Sequence, residues 1–521
     1  MTDIAAATGA RMSPNTLIRL EPREAFATIR KCFQETHFDE PTLAARFGER
    51  SLVGFKRLVD GRTTLNGPIE DALGALIRLF LDGEPLSTPL VESLISVDAL
   101  SAMRALSLLS PAEGDPEKIV ATVFLYPLRG SWLASDLIPP SEDDPESRQD
   151  HVFSANNELT AQFLDAIPAT PGARFIELCA GSGVAAVRAL ANGASSAVAS
   201  DLIPRCVHFS RFNALLNDLD DRLEAIQSDA WKSVAGEFDM VVAHPPYVPA
   251  LSHRFDFRDA GGDGEQVTRA LIEGAPAHIS RGGRMIVRAA LSDRNGQTIA
   301  QRVREWLGDA SNEFDLVQLE SMEYGPMDAY RNVTNGGHDF VDCERWLRHF
   351  QALGIERFAL CTLEFRREAF GRPPVTVRRV LGTPINPALA EWHFQWGRYV
   401  ELGGTTALER LVGQAPRVAP GVRLSVHLTS DADGSWRNVG ALVESHWPSL
   451  GVVKAPPLVP TLLELCDGSR DVHALFDGVK SAGLVTEDVG EIELANLLEI
   501  LAAIGALEFP AVPLPATHDV G

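Results

Sequence analysis

The 521-residue sequence reads as an α/β protein with a mostly parallel sheet in its middle third. Before that sheet stands a mainly helical N-terminal region, and after it an α+β C-terminal region with a winged-helix-like end. Three observations predict this. Apolar, β-branched runs alternate with helix-period segments from residue 153 to about 367, as the crossovers of a parallel sheet require. Helical spacing of apolar residues dominates the first hundred or so positions. The chain also ends in three helix-like segments followed by a short strand. At roughly 150 residues per domain the length suits about three domains, which we place at residues 1–150, 151–370 and 371–521.

The elements follow in order. Residues 23–32, 40–47, 69–81 and 97–109 carry apolar side chains at helical spacing, and KIVATVFLY at 118–126 has the β-branched and aromatic content of a strand. The acidic, proline-containing stretch 139–150 marks a boundary. Strands are expected at 175–179, 196–200, 240–243, 284–287 and 357–364, with helices between them at 184–191 and 207–216. RREAFGRPPVTVRR at 366–379 breaks this rhythm, and its cluster Arg366, Arg367, Arg372, Arg378 and Arg379 reads as a linker strand facing solvent. Near the end, 461–465, 472–482 and 492–504 are helix-like and 505–509 is a short strand.

Composition narrows the function. Lys plus Arg number 47 against 70 Asp plus Glu, a net charge of −23, and each third of the chain is acidic. Binding to nucleic acid draws on cations that displace counterions from phosphates, so a protein that coats DNA is excluded and nucleic acid becomes the less favoured partner. No apolar run approaches the roughly 20 residues of a membrane span, and no secretory signal opens the sequence. Six scattered cysteines without a CxxC pair read as reduced thiols, so a cytoplasmic location is expected. His253 forms no recognisable ligand set with its neighbours, and no metal is expected.

The strongest local signal is Glu177-Leu-Cys179-Ala-Gly181-Ser-Gly183, between an apolar strand and a helix that begins near Val184. Glycines there permit a sharp turn and close approach of backbone to ligand, while the helix start offers free N–H groups. About 20 residues on, a second strand ends at Asp201, whose carboxylate could accept hydrogen bonds from both hydroxyls of a ribose. Asp229 stands where a third strand would end and could contact an adenine edge. A fourth strand then leads into His244-Pro245-Pro246-Tyr247-Val-Pro249.

This order of motifs resembles the class I S-adenosylmethionine-dependent methyltransferases, which have a Rossmann-like fold. Over residues 150–300 it is similar to the "methyltransferase small domain" group that includes release-factor glutamine methyltransferases. Residues 257–264 (FRDAGGDG) and 279–286 (ISRGGRMI) resemble that group's acidic-glycine loop and following strand. The resemblance implies S-adenosyl-L-methionine as cofactor, held by Glu177, Cys179, Gly181, Gly183, Asp201 and Asp229. It also implies that His244, Pro245 and Tyr247 position the nucleophile. Cys179 takes the first-glycine place, where we read it as packing beside the cofactor. Phe153, Asn156 and Asn157 precede the first strand, in a segment that lines the substrate pocket of the related enzymes, but the two asparagines read foremost as turn residues.

The sequence departs from the group at one place. The related enzymes have Asn, Asp or Ser where this chain has His244. Imidazole can orient an N–H donor, and its ordinary pKa of about 6.5 also lets it act as a base. The expectation is a methyltransferase acting on a heteroatom, foremost nitrogen, of a protein or small molecule. Residues 252–259 read equally as a lid over the substrate or as a solvated loop, and the terminal regions as sites of acceptor choice or homodimer formation. Two alternatives remain at this point: a nucleic-acid base N-methyltransferase, and a non-catalytic scaffold that binds the cofactor.

Overall fold

The computed structural model describes residues 18–52, 67–137, 148–333, 340–380, 385–446, 451–485 and 490–514. It divides into two compact units, Met1–Gly308 with Gly325–Phe358, and Asp309–Tyr324 with Ala359–Gly521. Most of the acidic stretch at 139–150 lies outside the described residues.

The first unit opens with helices Glu24–Glu35, Glu40–Phe47, Ala72–Leu76 (continued by a π-helical turn to Leu81), Thr88–Leu94 and Val97–Ala105. The expected mainly helical character stops there. Strands Leu109–Ala112, Asp115–Ala121, Phe124–Leu128 and Ser131–Ser135 follow, the last two paired as an antiparallel hairpin. The single strand expected at 118–126 is two strands, interrupted at Thr122 and Val123.

The central sheet follows. Its elements are α1 (Glu158–Ala166), β1 (Arg174–Leu178), α2 (Val184–Ala191), β2 (Ser196–Asp201), α3 (Pro204–Leu216), β3 (Leu223–Gln227), β4 (Phe238–Ala243), α4 (Gln266–Gly274), β5 (Ile279–Arg294) and α5 (Ile299–Trp306). Five strands of this sheet run parallel in the order β3-β2-β1-β4-β5. That is the Rossmann-like order, which reverses direction between β1 and β4, and ligands of such sheets bind beyond the carboxyl ends of the strands at that reversal. Register brings the ends level there: Leu178 of β1 lies opposite both Ser200 of β2 and Ala243 of β4. The loops that begin with Cys179 and His244, and the terminal Asp201, therefore emerge side by side.

The N-terminal hairpin docks on α3, and asparagines make the joint. Asn213 is fully buried. Its Oδ1 accepts from the Ala134 N–H at 2.8 Å and its amide donates to the Ala134 carbonyl at 3.0 Å. Asn217 does the same with Trp132, at 2.9 and 2.7 Å. Two side-chain amides thus satisfy the exposed edge of strand Ser131–Ser135, whose backbone groups would be costly to bury unpaired. Phe26 packs edge-on against Phe212 of the same helix at 5.1 Å.

In the second unit, strands Asp315–Tyr324 and Thr376–Val380 pair in parallel, and helix Pro387–Leu402 follows. The arginine cluster does not face solvent as a linker strand. Arg366 is buried, donating to Glu364 at 2.8 Å and Glu391 at 2.7 Å. Arg372 pairs with Asp315 at 2.6 Å, Arg378 with Glu320 at 2.6 Å and Arg367 with Glu313 at 2.7 Å, while Arg379 donates to the carbonyl of Arg378. Glu313, Asp315 and Glu320 lie 54, 57 and 58 residues before the arginines they meet, so only folding brings those charges together.

The chain ends in an antiparallel sheet of Arg423–Ser430, Trp436–Ser445 and Gly451–Ala455, then helices Val459–Leu465, Val472–Ser481 and Glu491–Ala503. Leu507–Glu508 pairs with Arg417–Val418. Trp396, Val443, Leu462, Leu475, Leu498 and Phe509 share one core. The three helices and terminal strand of the winged-helix-like expectation are present. A two-stranded wing after the third helix is not, among the described residues, beyond one bridge from Phe509 to Val512.

Candidate active site

The site is built from the loop after β1. Cys179, Gly181 and Gly183 all have left-handed backbone, with φ of 53°, 54° and 77°. At Gly183 the constraint is double, since a Cβ would stand 2.9 Å from Ser210 Oγ, whereas one at Gly181 would meet only open space. The loop is tied down from behind. The Gly181 N–H donates to Asp201 Oδ2 at 2.9 Å, Ser210 donates to the Gly181 carbonyl at 3.1 Å, and Asn213 donates to the Ser182 carbonyl at 2.9 Å. Asp201 also accepts from the Ile203 N–H at 2.9 Å. Its carboxylate therefore joins the glycine loop to the end of β2, and burial raises its pKa.

Glu177 lies beneath this loop, 3% exposed, and accepts from the Ala186 N–H in the first turn of α2 at 2.9 Å. Burial outweighs that bond and pushes its pKa up to about 8. Cys179 is likewise pushed far up by burial and by the neighbouring acids Asp201 and Glu177, so it carries no thiolate at neutral pH. Asp229, on the exposed side, pairs with Lys232 at 2.5 Å.

Across the sheet reversal, His244 sits with its ring 5.3 Å from Phe163 of α1 and 5.9 Å from Tyr247. Desolvation and the Arg288 guanidinium push its pKa down to about 4. His244 is therefore neutral at pH 7 and a weaker base than an ordinary imidazole. It remains a hydrogen-bond acceptor through one ring nitrogen and a donor through the other. Burial also holds the Tyr247 hydroxyl protonated by raising its pKa.

The motif loop is braced by residues 258–264. Val248 donates to the Arg258 carbonyl at 2.9 Å, Ala260 to the Val248 carbonyl at 3.0 Å and Ala250 to the Gly261 carbonyl at 2.8 Å. Buried Asp259 collects the N–H groups of Arg254 and Phe255 and the Arg258 side chain. Residues 252–259 are thereby folded onto the site, and Phe257 stacks on Phe153 at 5.3 Å. From the other side the Tyr126 hydroxyl accepts the Ala155 N–H at 2.7 Å, and Asp136, paired with Arg205, accepts that of Val152 at 2.8 Å. N-terminal residues thus hold the approach segment in place.

One cavity of about 830 Å³ runs through these groups, lined among others by Phe153, Glu177, Gly181, Asp201, Asp229, His244 and Tyr247. That lies within the roughly 300–1,000 Å³ of small-molecule and cofactor sites. Cys179, Pro245 and Asn157 line it too. Asn157, however, caps α1 by accepting the Thr160 N–H at 2.9 Å, and Asn156 is buried off the cavity wall. Two contributors carry no motif. Phe163 is an ordinary apolar helix position. Arg288, 1% exposed and bonded to Gln162, interrupts the apolar strand run 285–290, and a lone charge in a central strand was the available signal.

A parallel sheet in this order, with a glycine loop, a strand-end carboxylate and a Pro-Pro-Tyr loop around one cavity, defines a Rossmann-like domain suited to an adenosyl cofactor. Residues 148–308 match the methyltransferase small domain family, and this part of the chain is a class I S-adenosylmethionine-dependent methyltransferase domain similar to release factor glutamine methyltransferases. The release factor glutamine methyltransferase of Cereibacter sphaeroides is 32% identical over 140 residues, 25% of this chain and 50% of that protein. That of Deinococcus radiodurans is 30% identical over 147 residues, 25% of this chain and 50% of that protein. The ribosomal protein L11 methyltransferase of Pelobacter propionicus is 33% identical over 160 residues, 26% of this chain and 52% of that protein. The chain spans about half the length of these curated relatives.

Proposed function

We propose that this protein transfers a methyl group from S-adenosylmethionine to a nitrogen of a protein acceptor. The observation that carries this is the level register of β1, β2 and β4, which sets the glycine loop, Asp201 and the His244–Tyr247 loop around one cavity. The donor set fits the cofactor: the Gly181–Gly183 turn and Glu177 would hold its amino-acid part, Asp201 its ribose and Asp229 its adenine edge. When bound, the cofactor supplies a sulfonium methyl group.

The chain's own work is orientation. Pro245 and Pro246 lack N–H groups and stiffen the loop, leaving carbonyls to hold a substrate amino group. Neutral His244 would accept a hydrogen bond from the nitrogen, aiming its lone pair, and Tyr247 would offer a ring face to a planar group. A site without a ready base suits a neutral nitrogen that sheds its proton after transfer better than a hydroxyl that must lose it first. A protein acceptor agrees with the acidity of the chain and with the names of the relatives.

The test is incubation of the purified protein with methyl-labelled cofactor and fractionated cell extract. Label in protease-sensitive, nuclease-resistant material is expected. Label in nucleic acid would mean a base methyltransferase. Cofactor binding by calorimetry with no labelled product in any fraction would mean a scaffold.

A further inference from the structure

The C-terminal antiparallel sheet has the strand order Arg423–Ser430, Trp436–Ser445, Gly451–Ala455, so Arg423–Ser430 is an edge with no described strand beyond it. Edge strands are normally blunted by lysine, proline, bulges or short length, because unpaired N–H and C=O groups recruit other chains. This one is eight residues long, contains no proline or lysine and bears one formal charge, at its first residue. The bulge near His427 puts the extra residue, Val439, on the neighbouring strand and leaves the edge regular.

Alternation places Leu424, Val426 and Leu428 on one face. The register puts Leu424 opposite Val443 and Val426 opposite Ala441, both buried in the core below. Beyond the helices that cover this core the face runs on uncovered: Leu424 is 40% exposed, Val426 43%, Leu428 54% and Trp436, opposite Ser430, 69%.

We infer that this edge pairs with the same edge of a second copy of the chain, antiparallel about a two-fold axis at Val426. The spacing of the side chains selects a second copy. A two-fold perpendicular to the sheet keeps each face on its own side, so opposed residues must share a face. Centred on Val426, it sets Val426 against itself, Leu424 against Leu428, Ser425 against His427 and Arg423 against Thr429. Every apolar residue meets an apolar residue and no two charges of one sign are opposed, the condition for a stable, isologous cross-strand interface. The result is a continuous six-stranded sheet.

Sedimentation velocity of the full chain at micromolar to tens-of-micromolar concentration should show a dimer. Val426→Lys, which opposes two cations at the axis, should leave a monomer with unchanged circular dichroism. Opposed Cα atoms of antiparallel strands lie about 4.5–5.5 Å apart, within disulfide range. Val426→Cys should therefore give a disulfide-linked dimer on mild oxidation, about ten-fold more than Ser425→Cys, which leaves the other face and opposes His427. A monomeric wild type, a dimer indifferent to Val426→Lys, or equal cross-linking at 425 and 426 would each overturn the proposal.

Discussion

At the residue scale His244 is decisive. Its identity is legible in the sequence as a departure from the Asn, Asp or Ser of similar enzymes, but its protonation is not. The groups that lower its pKa, the wall of Phe163 and the charge of Arg288, come from α1 and β5 and meet it only in the fold. A folded pKa near 4 against an ordinary 6.5 means that kcat/KM should show no limb at pH 6–7 from this residue. His244→Asn, which keeps a hydrogen-bond acceptor, should retain activity within about ten-fold, while His244→Ala should lose about a hundred-fold, as for removal of one positioning hydrogen bond. A general base would instead make Asn as damaging as Ala. Glu177 gives a second test. Its folded pKa of about 8 lies above its ordinary 4.5, so between those values the folded state binds more protons than the unfolded one. Its contribution to stability is present below pH 4.5 and lost as pH rises through 8. Glu177→Gln should remove that slope and melt a few degrees higher than wild type at pH 8.5 without cofactor. It should also weaken cofactor binding by calorimetry if the carboxylate holds the amino group.

At the element scale, what could be read in advance was what periodicity reports. Strands β1, β2 and β4 and helix 184–191 fall within a few residues of expectation because each has a buried face with its own period, whereas β5 runs over Ile279–Arg294 around the expected 284–287. Parallel strands Asp315–Tyr324 and Thr376–Val380 escaped it, since Glu320, Arg378 and Arg379 make them look solvated, when Glu320 and Arg378 pair with each other and Arg379 donates to a backbone carbonyl. Helix α3 was visible from residue 207, but the part played by its asparagines was not. Polar helix residues normally face water, and Asn213 is buried because a strand edge lies against it. Asn213→Ala would leave the Ala134 N–H and carbonyl and the Ser182 carbonyl without this partner. We expect a loss of about 1–3 kcal/mol in urea unfolding. The fall should be larger than for an alanine at exposed Arg211, and a loss no greater than at Arg211 would remove the asparagine joint from the account.

At the scale of the whole molecule the chain path matters more than the count of domains. The chain leaves the first unit after Gly308, returns at Gly325 and leaves again after Phe358, so no single cut separates the units. The first unit is also continuous across the boundary that composition suggests near residue 150. Tyr126 and Asp136 hold the backbone of the approach segment, and Trp132 and Ala134 pair with α3. The N-terminal region is therefore structural support for residues 152–155 and for α3. A chain truncated to residues 151–370 would keep every motif residue yet expose the paired faces of α3 and cut the second unit before strand Thr376–Val380, which pairs with Asp315–Tyr324. It should be insoluble or show no cooperative melt, and should bind no cofactor by calorimetry. Supplying residues 18–137 in trans should not restore a strand edge and a helix face that fold together. If the truncated chain instead melts cooperatively and binds cofactor as the full chain does, the N-terminal region is an appendage, and its contacts with residues 152–155 and α3 contribute nothing to the site.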